Sequence, residues 1–142
     1  MRVGSKDFAK ADPCHRAWIE VDPTAIECNT RKMKELVASN CLLMAVVKAD
    51  GYGHGSETVA RAAIRGGASY LGVATLQEGI DLRVCGIELP ILILGNLINN
   101  QELNACIYWD LIPTVSSERE ALLCEQVAID NDKKLTLVPS NF

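Results

Sequence analysis

The sequence has no dense cluster of lysine and arginine residues. Its 142 residues carry 14 basic and 18 acidic side chains, which gives a formal net charge of −4. Nucleic-acid-binding domains and membrane-surface segments typically present a concentrated basic patch that pairs with phosphate groups. The composition therefore argues against a nucleic-acid partner and against a polybasic contact with a membrane.

Long apolar runs are also missing. No uninterrupted stretch approaches the roughly 18 residues of a membrane-spanning helix. The first ten residues lack the apolar segment of a secretory signal. We therefore expect a cytoplasmic protein.

The six cysteines form no Cys-x-x-Cys pair and no Cys/His spacing typical of a metal site. Since no secretion signal supports disulfides, we expect reduced, mostly structural thiols and no bound metal. Cys14 and His15 are adjacent, as a metal or nucleophile pair would be. They fall, however, in an expected N-terminal extension, residues 1–15, and we do not assign them a site.

Short apolar strands alternate with amphipathic helices along the chain, with no linker or low-complexity segment between them. This alternation is typical of βαβ units around a buried parallel sheet, and it leaves a doubly wound sheet and a (β/α) barrel open. Asp22 and Pro23 are typical of a helix start, and Ser117 is a second expected N-cap. The predicted strands are Ala17–Asp22, Leu42–Val47, Tyr70–Val73, Ile91–Leu94, Leu111–Val115 and Leu135–Val138. The predicted helices cover 56–65, 76–84, 99–106 and 118–129.

The number of strands is small for a closed barrel, which needs eight strands and about 250 residues. Five strands after the first helix cannot close and would leave two unpaired edges. As a barrel, the chain is expected to be cut short after its fifth strand.

One lysine, Lys48, lies at a position typical of a catalytic residue. In the run from Met44 to Gly55, Lys48 ends an apolar strand and a glycine-rich turn follows at once. Period-two alternation puts Met44, Val46 and Lys48 on one face, with Lys48 at the carboxyl end, where barrel enzymes place their active sites. An amine there can condense with an aldehyde, and the flexible turn can approach a phosphate. Pyridoxal phosphate carries both groups.

Two further side chains of this turn are candidates. Tyr52 is placed to donate its hydroxyl to a phosphate oxygen, although a packed loop aromatic is the simpler interpretation. His54 is a conceivable base, but a turn histidine that packs, or caps the helix starting at Ser56, is favoured. Without the turn that follows it, Lys48 would be interpreted as an ordinary lysine that ends a strand and faces solvent.

The chain from about Arg16 to Leu137 resembles the N-terminal half of an alanine racemase barrel domain. The motif around Lys48 is highly specific, and the order and spacing of the other stretches agree with it. The matching stretches are Arg16–Asp22, Val46–Gly55, Gly67–Ala74, Gln77–Arg83 and Pro90–Gly95.

The resemblance implies the activity and the cofactor. Lys48 would form the internal aldimine with pyridoxal phosphate, Tyr52 would contact the phosphate, and L- and D-alanine would be interconverted for peptidoglycan synthesis. Lys48 would also serve as one of two bases. The second base is a tyrosine of a C-terminal β domain, supplied across a homodimer interface, and neither Tyr70 nor Tyr108 matches its motif.

The resemblance also implies a domain layout. Residues 16–142 would be a partial alanine racemase barrel, with the C-terminal β domain absent and the 142 residues inactive by themselves. Three alternatives stay open: a racemase for serine or another amino acid, a non-catalytic barrel that binds pyridoxal phosphate, and an inert remnant.

Overall fold

The computed structural model describes residues 19–97 and 99–140. Helices and parallel strands alternate through these residues, as the sequence predicted. The elements are α1 Pro23–Leu36, β1 Met44–Val46, α2 Lys48–Gly53, α3 Ser56–Arg65, β2 Tyr70–Val73, α4 Leu76–Val84, β3 Ile91–Asn96, α5 Asn100–Trp109, β4 Ile112–Val115, α6 Glu118–Asp130 and β5 Val138–Pro139. No helix within the described ranges has both the length and the apolar character that crossing a membrane requires. The expected extension 1–15, with Cys14 and His15, lies outside the described residues.

The order of the strands resolves the choice between the two sheet architectures. All pairs are parallel, and the strands lie side by side in chain order, β1-β2-β3-β4-β5. A doubly wound sheet reverses its strand order at a switch point, whereas a barrel adds each strand next to the one before it. The described part of the chain therefore contains five consecutive strands of a barrel-type sheet, with helices after the first four, and the barrel prediction is confirmed.

The two faces of the sheet differ in burial. On the face covered by helices, the strand side chains Leu71, Val73 and Ile93 are fully buried and belong to one continuous core. On the other face, Met44 and Leu94 are each 39% exposed and flank Gly72. This open face corresponds to the interior of a closed barrel, where side chains from all strands would meet.

Two predicted helix starts are confirmed. The Asp22 carboxylate accepts hydrogen bonds from the backbone N–H groups of Thr24 and Ala25 at 2.8 and 3.2 Å, and Pro23 takes the first helical position. Ser117 Oγ accepts from the Glu120 N–H at 3.3 Å at the start of α6. These side chains pair N–H groups that have no acceptor within the helix.

The strand predicted over Ala17–Asp22 is wrong in its described residues, because residues 19–22 form no strand. Ile19 is 79% exposed, and the Asp22 side chain is engaged in capping α1. Among the described residues no strand pairs with residues 19–22, and a lone strand has no stability in water.

The fifth strand lies later in the chain than predicted. Leu135–Val138 was expected, whereas only Val138–Pro139 joins the sheet, opposite Thr114 and Val115. Leu135 and Leu137 instead pack, partly buried, against the core. Packing against neighbours decides whether an apolar run enters a ladder. Pro139 has no N–H to donate and is tolerated because β5 is at the edge of the sheet.

Five cysteines lie in the described residues, and all five are free thiols in the structure. Cys106 and Cys124 are buried in the core, Cys85 is half-buried, and Cys28 and Cys41 are exposed. The expectation of mostly structural thiols therefore fits the two core positions best.

The buried thiol of Cys106 is expected to make the free energy of unfolding fall at alkaline pH. Burial raises the pKa of its thiol to about 12, against about 8.5 in an unfolded chain. As the pH rises from about 9 to 12, the unfolded chain loses this proton while the folded chain keeps it, so stability falls. We expect urea unfolding midpoints to decrease over this range, and to decrease less steeply in a Cys106→Ala variant. Equal slopes for the two proteins would contradict this prediction.

Candidate active site at the end of the first strand

The chain makes a left-handed turn directly after β1. The four residues Ala49–Tyr52 have φ values between 51° and 60° and ψ values between 37° and 51°. Three of them are not glycine, although left-handed backbone costs an L-residue about 1–2 kcal/mol. The sequence predicted a loose glycine-rich loop here. The structure corrects this: it shows one ordered turn of left-handed helix.

Hydrogen bonds at both ends hold this turn in place. Gly51 N–H donates to the Val47 carbonyl at 3.0 Å, and Gly55 N–H donates to the Asp50 carbonyl at 2.9 Å. The Asp50 carboxylate accepts from Ser56 N–H at 2.8 Å and so caps α3. Gly51 is buried, and a Cβ there would lie 2.8 Å from Val59 Cγ2, so glycine is required by packing as well as by φ.

His54 closes the turn. Its Nδ1 lies 3.0 Å from the Gly51 carbonyl and 3.1 Å from the Tyr52 carbonyl. Since both partners are acceptors, Nδ1 carries the hydrogen and donates it. The structure thus places His54 in a packing and capping role. It caps the left-handed turn, while Asp50 rather than His54 caps the helix at Ser56.

Lys48 directly precedes this turn, and Tyr52 is its last residue. Lys48 is half-buried and follows β1 at its carboxyl end, while Tyr52 is 58% exposed. One helical turn separates their backbones, a rise of about 5 Å. Within the described ranges, no hydrogen bond or ion pair engages the Lys48 amine or the Tyr52 hydroxyl. An amine and a phenol that have no partner among the described residues, one turn apart at the sheet's carboxyl edge, fit a ligand that carries both an aldehyde and a phosphate.

Glu78 is a further residue of this region, and it was not singled out as a site residue from the sequence. It lies at the third position of α4, where Thr75 and Glu78 form a capping box. Its carboxylate also reaches across to β1 and accepts from Ala49 N–H at 2.7 Å. The Thr75-x-x-Glu78 spacing signals the capping box. The contact with Ala49, 29 residues away, has no such signal in the sequence.

Residues 19–97 and 99–140 contain no group of three or more His, Cys, Asp or Glu side chains that could hold a metal ion.

The fold and the site together define a class: a barrel-type α/β domain that presents a lysine at the carboxyl end of its first strand. The chain belongs to the family described as alanine racemase, N-terminal domain, whose model matches residues 21–138.

Known alanine racemase sequences agree with this family assignment. The chain is 62% identical over 134 residues to an alanine racemase of Prochlorococcus marinus, covering 94% of this chain. It is 48% identical over 108 residues to an alanine racemase of Nostoc sp., covering 76% of this chain.

Solved structures agree as well. The alanine racemase from Bacillus anthracis with bound L-Ala-P matches with a TM-score of 0.76 at 34% identity, over 84% of this chain and 31% of that one. The enzyme from Streptomyces coelicolor A3(2) has the same TM-score at 31% identity, over 86% and 32%. This chain spans about a third of the length of these relatives, 35% for the Prochlorococcus marinus protein and 28% for the Nostoc protein.

Proposed function

We propose that this chain supplies the lysine-bearing part of a racemase that interconverts L- and D-alanine with pyridoxal phosphate. The family match supports the activity. The observation that carries the proposal is the position of Lys48, an amine with no partner in the described residues, at the carboxyl end of β1. That end of the sheet is where barrel enzymes assemble their active sites.

Pyridoxal phosphate, when bound, supplies an electron sink that makes the Cα–H of an amino acid acidic. Lys48 Nζ would hold the cofactor through its aldehyde carbon and, once released, would accept or return a proton at the substrate Cα. The Tyr52 hydroxyl would donate a hydrogen bond to the phosphate. The left-handed turn keeps these two residues one helical turn apart and limits the freedom that binding would otherwise have to remove.

Racemisation needs a second base on the opposite face of the substrate. We place it outside this chain, in the part of the relatives' length that the chain does not span. The 142 residues are therefore expected to bind the cofactor without racemising alanine by themselves. The complete enzyme would be a cytoplasmic homodimer that provides D-alanine for peptidoglycan. Residues 16–142 would form its barrel portion, and a C-terminal β domain would supply the second base.

Reductive labelling of the chain tests this proposal. The purified protein is mixed with pyridoxal phosphate, its absorbance spectrum is recorded before and after borohydride, and the labelled lysine is mapped by mass spectrometry. We expect a visible band that borohydride removes and a label on Lys48 at least about 10-fold above that on the exposed Lys32 of α1. A Lys48→Arg variant keeps the charge and should lose both signals.

Two results would contradict the proposal. One is a label spread evenly over the lysines, and the other is a Lys48→Arg variant that still gives the band of the original chain. Far-ultraviolet circular dichroism of both proteins confirms that the comparison is between folded chains. Addition of L-alanine to the chain mixed with pyridoxal phosphate, without borohydride, then measures whether any racemisation occurs without the rest of the relatives' length; the borohydride-reduced chain is the inactive control.

A further inference from the structure

A single carboxylate joins the carboxyl ends of the first two strands. Glu78 Oε1 accepts from Ala49 N–H at 2.7 Å, and Glu78 Oε2 accepts from Ala74 N–H at 2.7 Å and from Thr75 N–H at 3.2 Å. Ala49 directly follows Lys48, and Ala74 directly follows β2. Both oxygens of Glu78 are therefore engaged by backbone donors.

The capping box alone does not explain this arrangement. A capping box requires only that the glutamate side chain accept from the N-cap N–H, here that of Thr75. The bond to Ala49 N–H uses the other oxygen and spans 29 residues of sequence. The Ala49 N–H lies at the start of the left-handed turn. The Gly51 N–H of the same turn donates to the Val47 carbonyl. A hydrogen bond to a carboxylate is about twice as strong as one between neutral groups.

We propose that Glu78 is a positioning residue, which fixes the peptide group between Lys48 and Ala49 so that the Lys48 amine is presented in one orientation. This inference rests on the proposed function for the role of the Lys48 amine. The contact between Glu78 and Ala49 is independent of that function. In metal sites, residues that orient a ligating side chain through a hydrogen bond typically change affinity or activity by about 10-fold or more when they are altered, and we expect an effect of this order here. Residues that support a reactive group restrict its geometry through packing and hydrogen bonds without touching the ligand.

The chain contains a matched control on α6. Glu120 Oε2 accepts from Ser116 N–H at 2.6 Å, which holds the pKa of this carboxyl below its usual value. Glu120 Oε1 lies 3.4 Å from Asn96 Nδ2, which donates to it from the end of β3. Glu120 thus joins the ends of β3 and β4 as Glu78 joins those of β1 and β2, but it has no bond to the turn after Lys48.

The test compares Glu78→Gln with Glu120→Gln in the full 142-residue chain. The first readout is the hydrogen-exchange rate of the Ala49 amide by NMR. The second is the ratio of borohydride-fixed pyridoxal phosphate on Lys48 to that on Lys32. We expect Glu78→Gln to accelerate exchange at Ala49 by about 10-fold and to reduce the labelling ratio by about 10-fold. Glu120→Gln should leave both unchanged.

A Thr75→Ala variant separates positioning from helix capping. It weakens the N-cap of α4 but leaves the bond from Ala49 to Glu78, so it should lower stability without changing the labelling ratio. If Glu78→Gln does not fold, Glu78→Asp replaces it. This shorter side chain can still accept from Thr75, but it is one methylene too short to reach Ala49 as well.

The outcomes distinguish the two proposals. Unchanged exchange at Ala49, or an unchanged labelling ratio in a folded Glu78 variant, would overturn the positioning role. If the original chain shows no preference for Lys48, the proposed function fails. The contact between Glu78 and Ala49 would then still be judged by the exchange rate alone.

Discussion

Replacing Arg83 with methionine is expected to lower the free energy of unfolding by about 2–4 kcal/mol. The Arg83 guanidinium donates to four backbone carbonyls at once. Its partners are Ile87 at 2.6 Å, Leu89 at 2.7 Å, Trp109 at 3.0 Å and Asp110 at 2.7 Å. They belong to the loop before β3 and to the end of α5, so one side chain joins three parts of the chain.

The expected loss is large because, within residues 19–97 and 99–140, no other donor pairs with these four carbonyls. Burial lowers the pKa of the Arg83 guanidinium, yet the group stays charged at neutral pH. Methionine keeps the apolar stem and removes all four hydrogen bonds, which leaves the partly buried carbonyls of Ile87, Leu89 and Trp109 unpaired. Lysine, with a single ammonium group, cannot reach carbonyls on both sides and should recover only part of the loss.

Urea unfolding followed by circular dichroism measures this effect. Arg119 on α6 is exposed and provides the control, since an Arg119→Met change should alter stability by no more than about 0.5 kcal/mol. An Arg83→Met variant as stable as the Arg119→Met variant would show that the four carbonyls find equivalent partners in water.

A Gly95→Ala substitution is expected to cost about 3 kcal/mol or more. A Cβ on Gly95 would lie 2.4 Å from the Ala74 carbonyl oxygen, which also accepts a hydrogen bond from Gly95 N–H at 3.1 Å. The obstacle is backbone, so no side-chain rotation relieves it. Strands β2 and β3 would have to separate at the edge where Glu78 binds the N–H of Ala74.

Gly86 offers the comparison that isolates this steric effect. Gly86 has a φ of +78°, but a Cβ there would meet nothing within 4 Å. Gly86→Ala therefore costs only the backbone strain, about 1–2 kcal/mol. Both variants are measured by urea unfolding, and equal losses would show that strand separation at Gly95 is cheap. We also expect faster amide exchange at Ala74 in Gly95→Ala alone.

Local patterns in the sequence predicted most of the elements. Helices were recognised from N-caps such as Asp22 and Ser117 and from glycines that end them, because these signals act over a few residues. The position of Lys48 at the end of β1 followed from the apolar run before it. The fifth strand was misplaced because Leu135 and Leu137 pack against the core instead of pairing with β4, and a pattern of apolar residues does not distinguish these outcomes.

The residue types and their spacing along the chain were enough to predict the alternating elements and the lysine that carries the proposed chemistry. The alternation by itself left the choice between a barrel and a doubly wound sheet open, because that choice depends on which strands become neighbours, and only the resemblance to the family favoured the barrel. The sequence also did not predict the left-handed turn or the hydrogen bond from Ala49 N–H to Glu78, because both form only in the folded chain. Ala49, Asp50 and Tyr52 would not adopt left-handed backbone in isolation. They are held there by contacts with Val47, Ser56 and Glu78, which only the packed βα units bring within hydrogen-bonding distance.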